Sequence, residues 1–205
     1  MWSIYNHPAV YRLGMRLSYR SEYRERYSLL AEYVGRPSHV LEVCCGDLVL
    51  HGQLARRGLL RSYRGVERSP SMVALAHRQG VRVDRLDLRA AAELPRAEIV
   101  IMQASLYQFH DLAETLLPRL WNAAERQLLV AEPVRNLSSS GNPVMRWAGQ
   151  LMSRTDEGPH PFRYTEQTLL QLYERCGIPI TRVGRTRHGR ELIVSSCRPG
   201  IARDG

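Results

Sequence analysis

The 205-residue chain contains no lysine, so all 29 of its basic residues are arginine, set against 20 acidic residues. Cysteine is scarce: Cys44, Cys45, Cys176 and Cys197 are the whole set, and no two form a CxxC pair. That pattern argues against a cysteine-based zinc site, and no metal is expected. Adjacent Cys44 and Cys45 cannot easily bridge each other, which argues against a disulfide framework. No apolar run approaches the roughly 18 residues that a membrane-spanning helix needs. The N-terminal stretch lacks the long apolar segment and small-residue cleavage site of a secretory signal. A cytoplasmic location with reduced thiols is therefore expected. There is no internal repeat and no low-complexity tract. With 44% hydrophobic residues, disorder describes the chain poorly, and its length suits one domain with a real core.

The net charge of +9 has two readings. It could attract a polyanion or an anionic membrane surface. It could also be a solvated arginine surface set by the composition of a GC-rich genome. The basic residues are densest over 12–26, 56–68 and 182–190, but no nucleic-acid-binding motif accompanies them. The second reading is preferred, and a nucleic-acid partner is not expected. The oligomeric state is not legible.

Residues 1–36 read as a helical N-terminal cap with aromatic and aliphatic residues on repeating turns, stopped by Gly35-Arg36-Pro37. Strands and helices then alternate. Strands are expected at 39–43, 62–67, 81–88, 98–103 and 127–133. Helices are expected at 48–57 and from Ser69-Pro70 to Gln79, with Ser69 capping and Pro70 first. Asp111 and Glu114 have capping-box spacing before a third helix, which Pro118 should kink or restart. Residues 138–161 break the rhythm and read as an insertion or lid. Thr165 opens a last helix, and strands near 180–185 and 191–197 form a hairpin. The expected fold is α/β: a Rossmann-like, doubly wound, mostly parallel seven-stranded sheet. A C-terminal antiparallel hairpin completes it, and residues 1–36 cap the domain of 37–205.

In such sheets ligands bind at the carboxyl ends of the strands, near the point where strand order reverses. The first strand–helix turn reads Glu42-Val43-Cys44-Cys45-Gly46-Asp47-Leu48, and Glu67 and Asp87 end the next two strands. Any one of these acids alone would be an ordinary strand-end carboxylate. Their order at three successive strand ends favours a binding role. Cys44 and Cys45 read as small residues packing the turn rather than as reactive thiols. A dinucleotide site would want GxGxxG here, but the corresponding residues are Cys44, Gly46 and Val49.

The segments VLEVCCGD, Glu67-Arg68-Ser69-Pro70-Ser71-Met72 and MQASLYQFHD resemble the motifs of class I S-adenosylmethionine (SAM)-dependent methyltransferases. The resemblance covers about residues 36–135. It implies SAM as cofactor, with Glu42, Cys44 and Gly46 in its loop and Glu67 on the ribose hydroxyls. It further implies Met72 against the adenine, Asp87 near the adenine amino group, and Gln103 and Ala104 at the methyl-donor end. Arg68 and Leu88 join this cofactor set. The family usually has glycine where Cys44 and Leu48 stand. Leu48 could crowd the cofactor or push the loop outward.

Methyl transfer is an in-line displacement, so the enzyme mainly aligns an acceptor, and a base is needed only for a protonated one. Tyr107 and His110 are the candidate catalytic residues, with Asp111 a candidate orienter of His110. Asp111 also reads as a helix cap. Gln103, Glu132, Arg135 and His160 are further candidates at this end. Tyr11, Tyr19 and Tyr23 could cap the cofactor or simply pack on the sheet flank. The apolar segment 144–152 could close over an acceptor, lie on a membrane surface or pack as a plain helix. The expected activity is methylation of a small-molecule acceptor. A non-catalytic SAM-binding or methyltransferase-like partner protein and a lipid or RNA methyltransferase stay open as alternatives.

Overall fold

The computed structural model describes residues 8–19, 21–134, 154–155, 158–159 and 162–200. Two helices open it, α1 (Pro8–Tyr19) and α2 (Glu22–Val34), and Gly35 ends α2 with a left-handed φ of 71°. The alternating part follows: β1 (Ser38–Val43), α3 (Val49–Arg56), β2 (Leu60–Glu67), α4 (Pro70–Arg78), β3 (Val83–Arg85) and β4 (Ala97–Gln103). A 3-10 turn (Leu106–Phe109), α5 (Ala113–Ala123) and β5 (Ala124–Pro133) come next. The chain closes with α6 (Glu166–Arg175), β6 (Arg182–Arg185) and β7 (Glu191–Cys197). A two-residue ladder, Arg154–Thr155 with Gly158–Pro159, lies within the expected insertion.

The seven-stranded sheet has the order β3-β2-β1-β4-β5-β7-β6. The pairs among β1 to β5 are parallel, and β7 runs antiparallel to both β5 and β6. The expected sheet and its antiparallel hairpin are present. Strand order reverses between β1 and β4, so a ligand crevice belongs at their carboxyl ends.

Alternation along the strands covers both faces. Val100 and Met102 of β4 join Leu128 and Val130 of β5 in the cluster under α5 and α6. Ile99 and Ile101 join Leu129, Ala131 and Ile193 in the opposite cluster under α2 and α3. Tyr19, Tyr23 and Tyr27 are buried in that second cluster, so the tyrosine stripe of the cap packs onto the sheet.

Several local expectations are corrected. Asp111 does not cap α5: the N-cap is Leu112, and no side chain caps it. Asp111 is drawn instead into an ion pair with Arg89, and Glu114 pairs with Arg175. Pro118 does not restart the helix: α5 runs unbroken through it from Ala113 to Ala123. Ser69 stands at the N-cap of α4 with Pro70 first, but its hydroxyl lies 2.9 Å from that of Ser71 rather than capping the backbone. The third strand is shorter than expected, three residues against eight. Thr165 does cap α6, exchanging hydrogen bonds with Thr168.

Candidate functional site

The turn after β1 is left-handed at alternate residues: Cys44 at φ 58°, Gly46 at 55° and Leu48 at 63°. For the two non-glycine residues that conformation costs on the order of 1 kcal/mol each. Tertiary contacts hold it. The Cys44 and Cys45 amides both donate to the Val66 carbonyl of β2, at 2.9 and 3.3 Å. Leu48 is buried with Cys45, Val73, Ala76 and Val83, so its bulk is taken up by packing against α4 and β3. Burial holds the thiols of Cys44 and Cys45 protonated, well above their ordinary range, as fits small packing residues.

Glu67 at the end of β2 secures the turn. Its Oε2 accepts the Gly46 amide at 3.0 Å and its Oε1 the Ser69 amide at 2.9 Å. Burial raises its pKa, and the backbone donors of Ser69, Gly46 and Arg68 oppose that shift. Leu86 N–H donates to the Glu67 carbonyl, which brings the Asp87-Leu88 segment alongside. Asp87 Oδ1 accepts the Arg89 amide at 2.9 Å, and Leu88 is buried. Met72, in the first turn of α4, is only 1% exposed.

Glu42 at the end of β1 is buried and accepts the Tyr63 hydroxyl at 2.7 Å. Burial pushes it up to about 8, with Asp47 and Glu67 adding to the effect, so the carboxyl is mostly protonated at neutral pH. Gly65, next to Val66 on β2, is glycine for space. A Cβ there would meet Cys45 Sγ and Val83 Cγ2 at 2.8 Å each. From α1, Arg12 reaches the same turn: its Nε lies 3.0 Å from Asp47 Oδ2, and its Nη2 donates to the Asp47 carbonyl at 3.1 Å.

Beyond β4 the arrangement differs. Gln103 donates through Nε2 to Glu191 Oε1 at 2.7 Å. Glu191 opens β7 and pairs with Arg26 of α2 at 2.7 Å, with both side chains at most 1% exposed. The Arg26 guanidinium lies 3.9 Å from the centroid of the Tyr19 ring. Ala104 is left-handed at φ 50°, and its amide donates to the Ala131 carbonyl at 2.7 Å. Glu132 is fully buried and accepts the Ser105 and Leu106 amides at 2.8 and 2.7 Å. Burial raises it to about 7 against those donors.

Tyr107 is buried under the guanidinium of Arg163, 4.0 Å from its ring centroid. His110 is exposed and stacks on Phe162 at 4.6 Å. The Asp111 carboxylate is taken by Arg89 through bonds of 2.7 and 3.1 Å, so the supposed His110–Asp111 pairing is replaced by an arginine clamp. Arg135, His160 and segment 144–152 lie outside the described residues, as does the Tyr11 side chain.

Sequence reading missed Arg12, Arg26 and Glu191. Arg26 had a signal: it follows Tyr19 and Tyr23 and precedes Leu30 at helical spacing, so it sits on the buried stripe. Glu191 had none.

No protein-family profile matches the chain, and no curated protein matches it. Solved structures do. An SAM-dependent methyltransferase from Aquifex aeolicus superposes with a TM-score of 0.64 at 15% identity, over 93% of this chain and 97% of its own. A chain of the complex between the Haloferax volcanii Trm112 methyltransferase activator and a methyltransferase gives 0.70 at 10% identity, over 97% and 99%. The fold is that of the class I SAM-dependent methyltransferases. The [4+2]-cyclase SpnF also superposes on the chain, at a TM-score of 0.62 and 14% identity over 88% of this chain and 83% of its own. Among the described residues no helix is long and apolar enough to cross a membrane.

Proposed function

We propose that the chain binds SAM and transfers its methyl group to a small-molecule acceptor. One observation carries this reading: Glu67, at the end of β2 next to β1, is held by the Gly46 and Ser69 amides, with the left-handed turn beside it. Each carboxylate oxygen has a further lone pair, which suits a vicinal diol. Glu42, Cys44, Gly46, Arg68, Met72, Asp87, Leu88, Gln103 and Ala104 complete the surroundings of the cofactor. Alternate left-handed residues do the work of the family's glycines, which supports a fit despite their loss. Bound SAM supplies an electrophilic methyl group on a sulfonium.

The acceptor side is Tyr107 and His110, with Phe162 stacked on His110 and Tyr164 set edge-on to Phe162 at 4.9 Å. These residues orient an acceptor rather than react with it. The test is calorimetric titration with SAM and with S-adenosylhomocysteine. Binding of both is expected, and binding of neither sinks the reading.

A second reading is a SAM-binding protein without turnover. It is favoured by the engagement of Asp111 by Arg89 and of Glu132 by backbone amides, which leaves neither carboxylate as a base. Binding without methylation of small-molecule, lipid or RNA acceptors would select it.

A further inference from the structure

Three consecutive amides converge on one carboxylate beside the proposed methyl-transfer site. Ser105 and Leu106 donate to Glu132 Oε1 at 2.8 and 2.7 Å, and Tyr107 donates to Oε2 at 3.3 Å. The donors open the 3-10 turn Leu106–Phe109, whose first amides have no partner within the turn. Ser105 at the N-cap supplies no side-chain cap; its hydroxyl donates to the Gln103 carbonyl at 2.9 Å instead. The capping anion is supplied from the end of β5, where favourable charge at a helix start combines with direct hydrogen bonding.

We propose that Glu132 is a positioning residue, setting the path of the turn that carries Ala104 and Tyr107 past the methyl-donor end of the site. Its oxygens are fully buried and committed to backbone donors, so it cannot reach an acceptor as a base. The left-handed Ala104 shows what the turn requires: the chain reverses sharply after Gln103, and the three amides must face one point. A carboxylate meets that demand because it accepts on both oxygens. A glutamine would keep the Ser105 and Leu106 bonds but turn its NH2 group against the Tyr107 amide.

The titratable groups coupled electrostatically to Glu132 are Glu191 of β7, Tyr19 of α1, Cys44 of the β1 turn, Tyr164 just before α6 and Tyr173 within it. Glu132 thus lies where the cap, both site turns and the C-terminal elements meet. Retaining a buried carboxylate there is costly. The inference deepens the SAM-binding reading and rests on it.

Two measurements test it. In ligand-free protein, the amide resonances of Ser105, Leu106 and Tyr107 should shift together as Glu132 titrates, with a midpoint at about 7. In Glu132→Gln they should not titrate. By calorimetry, Glu132→Gln should bind SAM about tenfold more weakly than wild type while unfolding as cooperatively. Titration of the amides together with weakened binding supports the proposal. Unmoved amides, or a Glu132→Gln protein that binds SAM as tightly as wild type, overturn it. Failure of wild type itself to bind SAM overturns the cofactor reading instead.

Discussion

The turn after β1 and the turn after β4 are neighbours on the same edge of the sheet, yet they are held in opposite ways. The first rests on Glu67, a half-buried carboxylate with acceptor capacity to spare. The second rests on Glu132, which is fully buried and accepts three backbone amides, and it is backed by the buried Arg26–Glu191 pair, to which the part-buried Gln103 donates. A ligand can compete for the first kind of group but not for the second. In the proposed reading the β1 side binds and the β4 side keeps its shape. Removal of Glu67 should therefore cost mainly affinity, and disruption of the Arg26–Glu191 pair mainly stability.

The largest effect should come from the closed side. Arg26→Ala leaves Glu191 buried without its cation and should destabilise the fold by about 3–5 kcal/mol. The double variant Arg26→Met with Glu191→Leu should recover most of that loss. Thermal unfolding measures both, and a mild Arg26→Ala would mean the network is not the brace described. On the open side, Glu67→Ala should weaken SAM binding by about 100-fold, through the loss of charge-assisted bonds, with a smaller change in unfolding temperature. Calorimetry beside thermal unfolding checks it. A variant that lost stability but kept affinity would reverse the comparison.

A third test uses pH. Folded Glu42 titrates at about 8, above the ordinary carboxylate value, so the folded chain holds a proton that the unfolded chain has released. Its contribution is present below the unfolded value and is lost as pH rises toward 8, by at most about 1.4 kcal/mol per pH unit. Glu132 acts with the same sign up to about 7. Glu42→Gln should flatten the decline in denaturant-measured stability between pH 5 and 8, and an unchanged slope would place the titrating group elsewhere. The smallest effect concerns the strained turn. Cys44→Gly relieves a left-handed φ of 58° and Cys44→Ala does not, so the glycine variant should be the more stable of the two by about 1 kcal/mol. Equal stability would mean that the turn carries no such strain.

Much of this architecture was legible. Strand alternation placed β1, β2, β4 and β5, and the acids at successive strand ends marked the edge where the proposed site lies. The glycine pattern misled in an instructive way. Cys44 and Leu48 read as departures, but the backbone keeps the left-handed geometry and packing offsets its cost. The acceptor side was read less well, because Asp111 fits a local capping rule that a distant arginine overrides.

Hydrophobic periodicity and turn residues act over a few neighbours, so the chain alone specified the elements, their faces and the sheet edge of the proposed site. The partners of the buried charges depend on which strands become neighbours. Arg26 meets Glu191 across 165 positions because α2 packs on β5 and β7, and Glu132 meets Leu106 across 26 because β5 lies beside β4. The folded sheet alone decided which carboxylates stay open to a ligand and which are used up holding the protein together.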